Sequence, residues 1–217
     1  MKKVKILAIL SVIIFISNSI SAQDEEQQPP KVLVMGVPQY LFKHGLRIDI
    51  DVASKDYKAW WVISPLFFID VSEAGGLINK RYTQLHGYGL TINRKSFLSS
   101  KNTETGVYVS GGIGYQYFNI LTSKERWDDI SFAGLNTLQI VNDNYHVYIN
   151  KVLTEATIGY KKHILSRLYI DVYAGVGLRY SFYDQPAGSD LKFNRTIFDF
   201  GYTGTAFIAG LRLGVGL

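Results

Sequence analysis

From Leu168 to Phe182 the chain alternates strictly between apolar and polar or small residues. Leu168, Ile170, Val172, Ala174, Val176, Leu178, Tyr180 and Phe182 share one side of an extended strand. Tyr169, Asp171, Tyr173, Gly175, Gly177, Arg179 and Ser181 share the other. This run is longer than the usual strand of a soluble domain, and it exceeds the roughly 9–11 tilted residues that cross a membrane hydrocarbon layer. The charged pair Asp171 and Arg179 lies on the small-residue side, which predicts a polar interior behind an apolar outer face, the pattern of a transmembrane β-barrel strand.

Seven other segments carry weaker versions of the pattern, which predicts eight strands in all. Lys31 to Val37 is a weak first strand, and in Gly45 to Ser54 the apolar Leu46, Ile48, Ile50 and Val52 oppose Arg47, Asp49 and Asp51. Ala59 to Val71 alternates poorly at Trp60-Trp61 and Phe67-Phe68, and Pro65 predicts an irregular position or a bulge. Leu85 to Lys95 sets Tyr88, Leu90 and Ile92 against Gly87, Gly89, Thr91 and Asn93. Thr105 to Phe118 sets Val107, Val109, Ile113, Tyr115 and Tyr117 against Ser110, Gly112, Gly114 and Gln116. Near Lys151 to Lys161, Val152, Ala156, Ile158 and Tyr160 oppose Glu155, Thr157 and Gly159. Leu168 to Tyr183 is the seventh strand, and Gly204 to Leu217 is the eighth, with Arg212 inward.

The connections alternate in length. Ser54 to Lys58 and Lys162 to Arg167 are short; Ser72 to Gln84, Asn119 to Asn144 and Asp184 to Thr203 are long and polar. Tight turns at one end of a barrel and long loops at the other produce this alternation. Pro38 to His44, a short outer connection, and Ser96 to Glu104, a longer inner one, are the exceptions. The parity places both termini at the periplasmic end.

The first residues add a location. Lys2, Lys3 and Lys5 precede an apolar run from Ile6 to Ile16, and Ser19-Ile20-Ser21-Ala22 is a small-residue cleavage region. Residues 1–22 are thus expected to be a cleaved secretory signal, residues 23–30 a short polar leader, and residues 31–217 one barrel domain. The chain has no cysteine, which removes lipoprotein anchoring, disulfides and thiolate chemistry. The signal's three lysines contribute to the formal charge of +5; without them 20 basic residues face 18 acidic ones. No basic cluster with interleaved aromatics occurs, so nucleic acid is not an expected partner. The 15 Tyr, 12 Phe and 20 Gly suit aromatic girdles and a crowded interior.

The segments Tyr169-Ile-Asp-Val-Tyr-Ala-Gly-Val-Gly-Leu-Arg-Tyr180 and Ala209-Gly-Leu-Arg-Leu-Gly-Val-Gly-Leu217, with the Gln-led start after the signal, resemble small bacterial outer-membrane β-barrel proteins. The resemblance covers nearly the whole chain after the signal and rests on pattern. It implies an eight-stranded, up-and-down antiparallel transmembrane barrel in the bacterial outer membrane. Outer-membrane lipid, periplasmic chaperones and the outer-membrane assembly machinery would be its partners. Such chains commonly end in an aromatic residue, whereas this one ends in Leu217.

Candidate chemistry is sparse. Arg47, Asp49, Asp51, Glu155, Asp171, Arg179 and Arg212 are expected to face the lumen and pair in a closed polar plug, because a barrel of this size is just wide enough for side chains to fill. The alternative is a narrow, charge-lined channel. His44, His86 and His146 fall near the outer rim and His163 at the opposite one. Rim histidines suggest a metal site or a lipid-modifying hydrolase, but the neighbours His44-Gly-Leu, His86-Gly-Tyr and His146-Val-Tyr lack the His-x-Ser motif of such enzymes. Gly111-Gly112-Ile-Gly114 and Gly175-Val-Gly177 sit within strands, so they are not nucleotide loops. Trp60, Trp61, Tyr57 and Tyr160 are expected as an inner aromatic girdle, and Tyr115, Tyr117, Tyr180 and Phe182 as an outer one. No catalytic, cofactor or metal residue is assigned. The expected role is a non-enzymatic envelope protein that is structural or binds an extracellular ligand or protein through the loops at 119–144, which hold Trp127, Phe132 and Leu135, and at 184–203.

Overall fold

The structure, a computed structural model, describes residues 30–71, 83–98, 105–132, 135–165, 167–183 and 193–217. The expected signal, residues 23–29 of the leader, and stretches 72–82, 99–104 and 184–192 of the connections lie outside the described residues. Eight strands are formed: β1 (Val32–Gly36), β2 (Gly45–Ala53), β3 (Ala59–Val71), β4 (Gln84–Phe97), β5 (Gly106–Phe132), β6 (Leu135–Leu165), β7 (Leu168–Tyr183) and β8 (Gly204–Gly216). Each pairs antiparallel with its sequence neighbours, and β8 pairs with β1 to close the barrel. The fold is an all-β, eight-stranded, up-and-down antiparallel barrel.

Closure rests on the short β1, through Leu33↔Gly216 to Gly36↔Leu213. Its Leu33 and Met35 are fully buried in the lumen, so even this weak alternation carries enough buried apolar surface to set its face. Pro38 then starts a 3-10 helix over Pro38–Lys43, which ends at His44 with a left-handed backbone (φ 55°). The turn drops Gln39 into the seam that β1 has left. Its Oε1 accepts from Leu211 N at 3.4 Å, and its Nε2 donates to Tyr173 Oη at 3.2 Å.

Of two expectations about strands, the irregular position at Pro65 is met, without a bulge, and the loop at 119–144 is corrected. Pro65 makes no bulge: β3 keeps one register on either side of it, pairing Leu66 with Arg47 and Ile63 with Ile50. Pairing with β2 lapses at Pro65 while Pro65↔Leu90 continues on the β4 side, as expected for a residue with no N–H to give. The segment expected as a loop at 119–144 is instead a continuous ladder, from Asn119↔Tyr148 through Trp127↔Ile140 to Phe132↔Leu135. Among the described residues β4 accompanies β5 only to Leu121, and β7 accompanies β6 only to Ile149. Residues 122–132 and their partners on β6 therefore continue as a two-stranded ribbon, about 36 Å long at ~3.3 Å per residue.

Candidate functional site

Alternation sends one side chain in two into the lumen, and those residues fill it in layers. Toward the termini lies an apolar floor of Leu33, Met35, Trp60, Phe97, Tyr108, Tyr169 and Tyr173. Toward the long connections lies a second cluster of Leu66, Phe68, Leu85, Phe118, Ile120, Val147 and Ile149, joined by Phe193 from the β7–β8 connection. Phe200 of that connection packs 4.9 Å from Phe118 and 5.8 Å from Phe68, ring to ring. The described part of this outer loop thus folds into the barrel mouth.

A charged layer lies within the lumen. Lys95 Nζ donates to Asp51 Oδ2 at 2.8 Å and to Asp171 Oδ2 at 2.9 Å. Arg212 pairs with Asp49 at 2.6 Å and with Asp171 at 3.1 Å. Arg47 Nε donates to Asp49 Oδ1 at 2.7 Å, and its guanidinium also reaches Ser64 and Tyr40. Tyr108 Oη donates to Asp171 Oδ1 at 2.5 Å. Glu155 accepts from Asn93 Nδ2 at 2.6 Å and lies 3.9 Å from Arg47. Three buried carboxylates (Asp49, Asp51, Asp171) thus meet three buried cations (Arg47, Lys95, Arg212), the condition under which burial of charge is tolerated. Aromatic faces add to this. The Arg212 guanidinium lies 4.0 Å from the Tyr173 ring centroid, and Lys161 Nζ lies 4.0 Å from that of Trp60.

Of the seven residues expected to pair, Arg47, Asp49, Asp51, Glu155, Asp171 and Arg212 are brought together. Arg179 is not. It stands nearer the mouth and donates to the carbonyl of Ile197 at 3.2 Å. Sequence reasoning missed the lysines Lys95, Lys151 and Lys161, all buried. Their parity was available, since Lys95 continues the inward series Gly87, Gly89, Thr91, Asn93, and Lys151 and Lys161 share the face of Glu155. Strand-end lysines ordinarily snorkel to water, which hides that signal.

Two of the rim histidines, His86 and His146, share Asn119 as a neighbour, and His44 stands apart beside Asp70. His44 Nδ1 lies 3.6 Å from Asp70, and His146 Nδ1 is 2.8 Å from Asn119 Oδ1. His86 is exposed on β4 opposite Ile69 and Asn119. Among the described residues no group of three His, Asp or Glu side chains is placed to hold a metal ion.

The barrel exterior is apolar. Tyr88, Tyr117, Tyr148 and His146 form a continuous row across β4, β5 and β6, with neighbouring rings 5.1–6.3 Å apart. Tyr180 and Phe182 extend that level on β7. At the opposite end Trp61 and Tyr160 face outward, and the Arg94 guanidinium lies over Trp61. The expected inner girdle needs one correction. Trp60 is fully buried inside the lumen, and Tyr57 packs against the same interior cluster, because period two cannot place both Trp60 and Trp61 outside.

Between the charged layer and the mouth is a cavity of about 320 Å³, lined among others by Arg47, Phe118, Lys151, Leu153, Glu155, Gly177, Arg179, Asp199 and Phe200. No protein-family model matches the chain, and no curated protein sequence matches it.

Proposed function

We propose that this chain is a non-enzymatic outer-membrane β-barrel, exported by a signal cleaved after Ala22, closed to solutes, and binding an extracellular partner through its projecting β5–β6 ribbon. The observation that carries the reading is the inverted distribution of side chains. Charges are gathered in the lumen, while Val172, Val176, Leu178, Ile113, Ile158 and Phe207 are exposed on the outside. A water-soluble barrel has the opposite need, since a continuous exposed apolar band drives association. The band has the right height. Tyr148 and Tyr160 are twelve positions apart on the outer face of β6, about 40 Å along the strand, or about 28–32 Å along the axis at a tilt of ~35–45°. That height suits a hydrocarbon layer of ~30 Å.

Two apolar clusters and a balanced ionic layer support a closed lumen, in keeping with the narrow interior of eight strands. The ribbon supports binding. A two-stranded hairpin gains little stability alone, and Leu138 and Ile140 of this one are exposed.

The test is fractionation of cells expressing the full chain, followed by reconstitution in planar bilayers. The protein is expected in the outer-membrane fraction, without large stable conductance. Recovery as a detergent-free soluble protein refutes the membrane reading, and porin-like conductance refutes the closed lumen. For the ribbon, a strain lacking the gene is complemented with a variant in which an Asn-Gly turn replaces residues 123–144. Failure to restore the wild-type phenotype, with the barrel still in the membrane, is expected; full restoration of it refutes ribbon-mediated binding.

A further inference from the structure

The cavity in the outer half of the lumen, which shares Arg47 and Glu155 with the ionic layer beneath it, has the features of a ligand site. Its volume, about 320 Å³, lies within the roughly 300–1,000 Å³ typical of small-molecule pockets. Barrel interiors are otherwise packed, and unfilled space costs stability. Gly177 is part of the β7 wall at a point of close packing: a Cβ there would lie 2.8 Å from Ile208 Cδ1 and 3.0 Å from the Thr154 carbonyl. Arg47, Lys151 and Arg179 line the space together with Glu155 and Asp199, and Arg47 is already held by Asp49 at 2.7 Å.

Both carboxylates are already engaged. Glu155 accepts from Asn93, and Asp199 accepts the backbone N–H groups of Arg195 and Thr196 at 2.8 and 3.0 Å. Arg179 differs. Among the described residues its guanidinium makes one hydrogen bond, to the Ile197 carbonyl, and a guanidinium carries five N–H donors in a fork that fits a carboxylate. The ring of Phe118, 5.2 Å from Lys151 Nζ, and Phe200 form the apolar part of the wall.

We infer that this cavity binds a small aromatic carboxylate, its anionic end on Arg179 and Lys151 and its ring against Phe118 and Phe200. The test uses naphthalene-2-carboxylate in equilibrium dialysis against the full chain folded in detergent micelles, with empty micelles as the reference and neutral 2-naphthylmethanol as the uncharged control. One saturable site for the carboxylate, tighter than for the alcohol, is expected. Arg179→Met and Lys151→Met should each weaken the carboxylate at least about tenfold, the loss of one charge-assisted bond, and leave the alcohol unchanged. Leu153→Trp, which fills the cavity, should abolish binding of both. Folding of every variant is checked by circular dichroism; should Lys151→Met fail to fold, the half-buried Arg179 carries the test alone. No saturable binding above the micelle reference overturns the inference, as does equal affinity for the alcohol, binding insensitive to Arg179→Met, or carboxylate binding that survives Leu153→Trp.

Discussion

Replacing Lys95 by Met tests whether the ionic layer holds the barrel together as its geometry implies. Lys95 is fully buried, and its ammonium joins Asp51 on β2 to Asp171 on β7 at 2.8 and 2.9 Å. Methionine keeps most of the side-chain volume and removes the charge. The two carboxylates then fare differently. Asp171 keeps Arg212 and the Tyr108 hydroxyl, whereas Asp51 loses its ion-pair partner while remaining fully buried. Breaking one side of a buried pair costs about 3–5 kcal/mol, because a desolvated charge is left uncompensated. In urea, at a slope of about 2 kcal/mol per molar, the unfolding midpoint should fall by about 1.5–2.5 M. The double variant Lys95→Met/Asp51→Asn should recover a large part of that loss, since the orphaned charge is gone. The assay is urea unfolding of the refolded barrel, followed by tryptophan fluorescence and circular dichroism. A loss below about 1 kcal/mol for Lys95→Met refutes the argument, as does a double variant no more stable than the single one.

Trp60→Ala should cost about 3–5 kcal/mol in the same assay, because Trp60 fills the lumen floor, whereas Trp61→Ala on the outer face should cost much less; equal losses would mean that the assigned faces are wrong. Val176→Arg, on the exposed face of β7, should destabilise the protein in a bilayer by about 2–4 kcal/mol; a near-neutral result would speak against lipid around that face. In the turn between β2 and β3, the Ser54 hydroxyl and the Lys58 N–H hold the Asp56 carboxyl below its ordinary range. A pKa lowered by folding contributes stability above the unfolded value and loses it as pH falls through the folded one. Ser54→Ala should therefore move the Asp56 titration upward in an NMR pH series, and an unmoved titration would remove the hydroxyl as the cause.

The residues that announced the fold are those whose alternation has a partner face. In β2, β7 and β8 every inward polar residue sits between apolar neighbours, so Arg47, Asp49, Asp51, Asp171 and Arg212 could be assigned to the lumen without any tertiary information. A side-chain period of two is a local property of an extended backbone, and it needs only the sequence. The extension of β5 and β6 was not legible for the complementary reason. Past Leu121 neither neighbouring strand accompanies the ribbon among the described residues, and its polar composition reads as loop. Its strand character comes from backbone pairing, which leaves little trace in hydrophobicity.

Partner choice in the lumen also belonged to the tertiary structure. Lys95 reaches Asp51 and Asp171 across 44 and 76 positions of chain, through a register set by barrel closure. The same closure decides that Arg179, identical in parity to Asp171, stands beside the cavity and not in the ionic layer. It also brings Phe193 and Phe200 from a polar connection into the mouth. The sequence by itself determined the faces of the regularly alternating strands β2, β7 and β8, because those follow from neighbours along the chain. Only the closed barrel decided which charges pair, which rings fill the mouth and where space is left, because those depend on strand register and on loops returning from far along the chain.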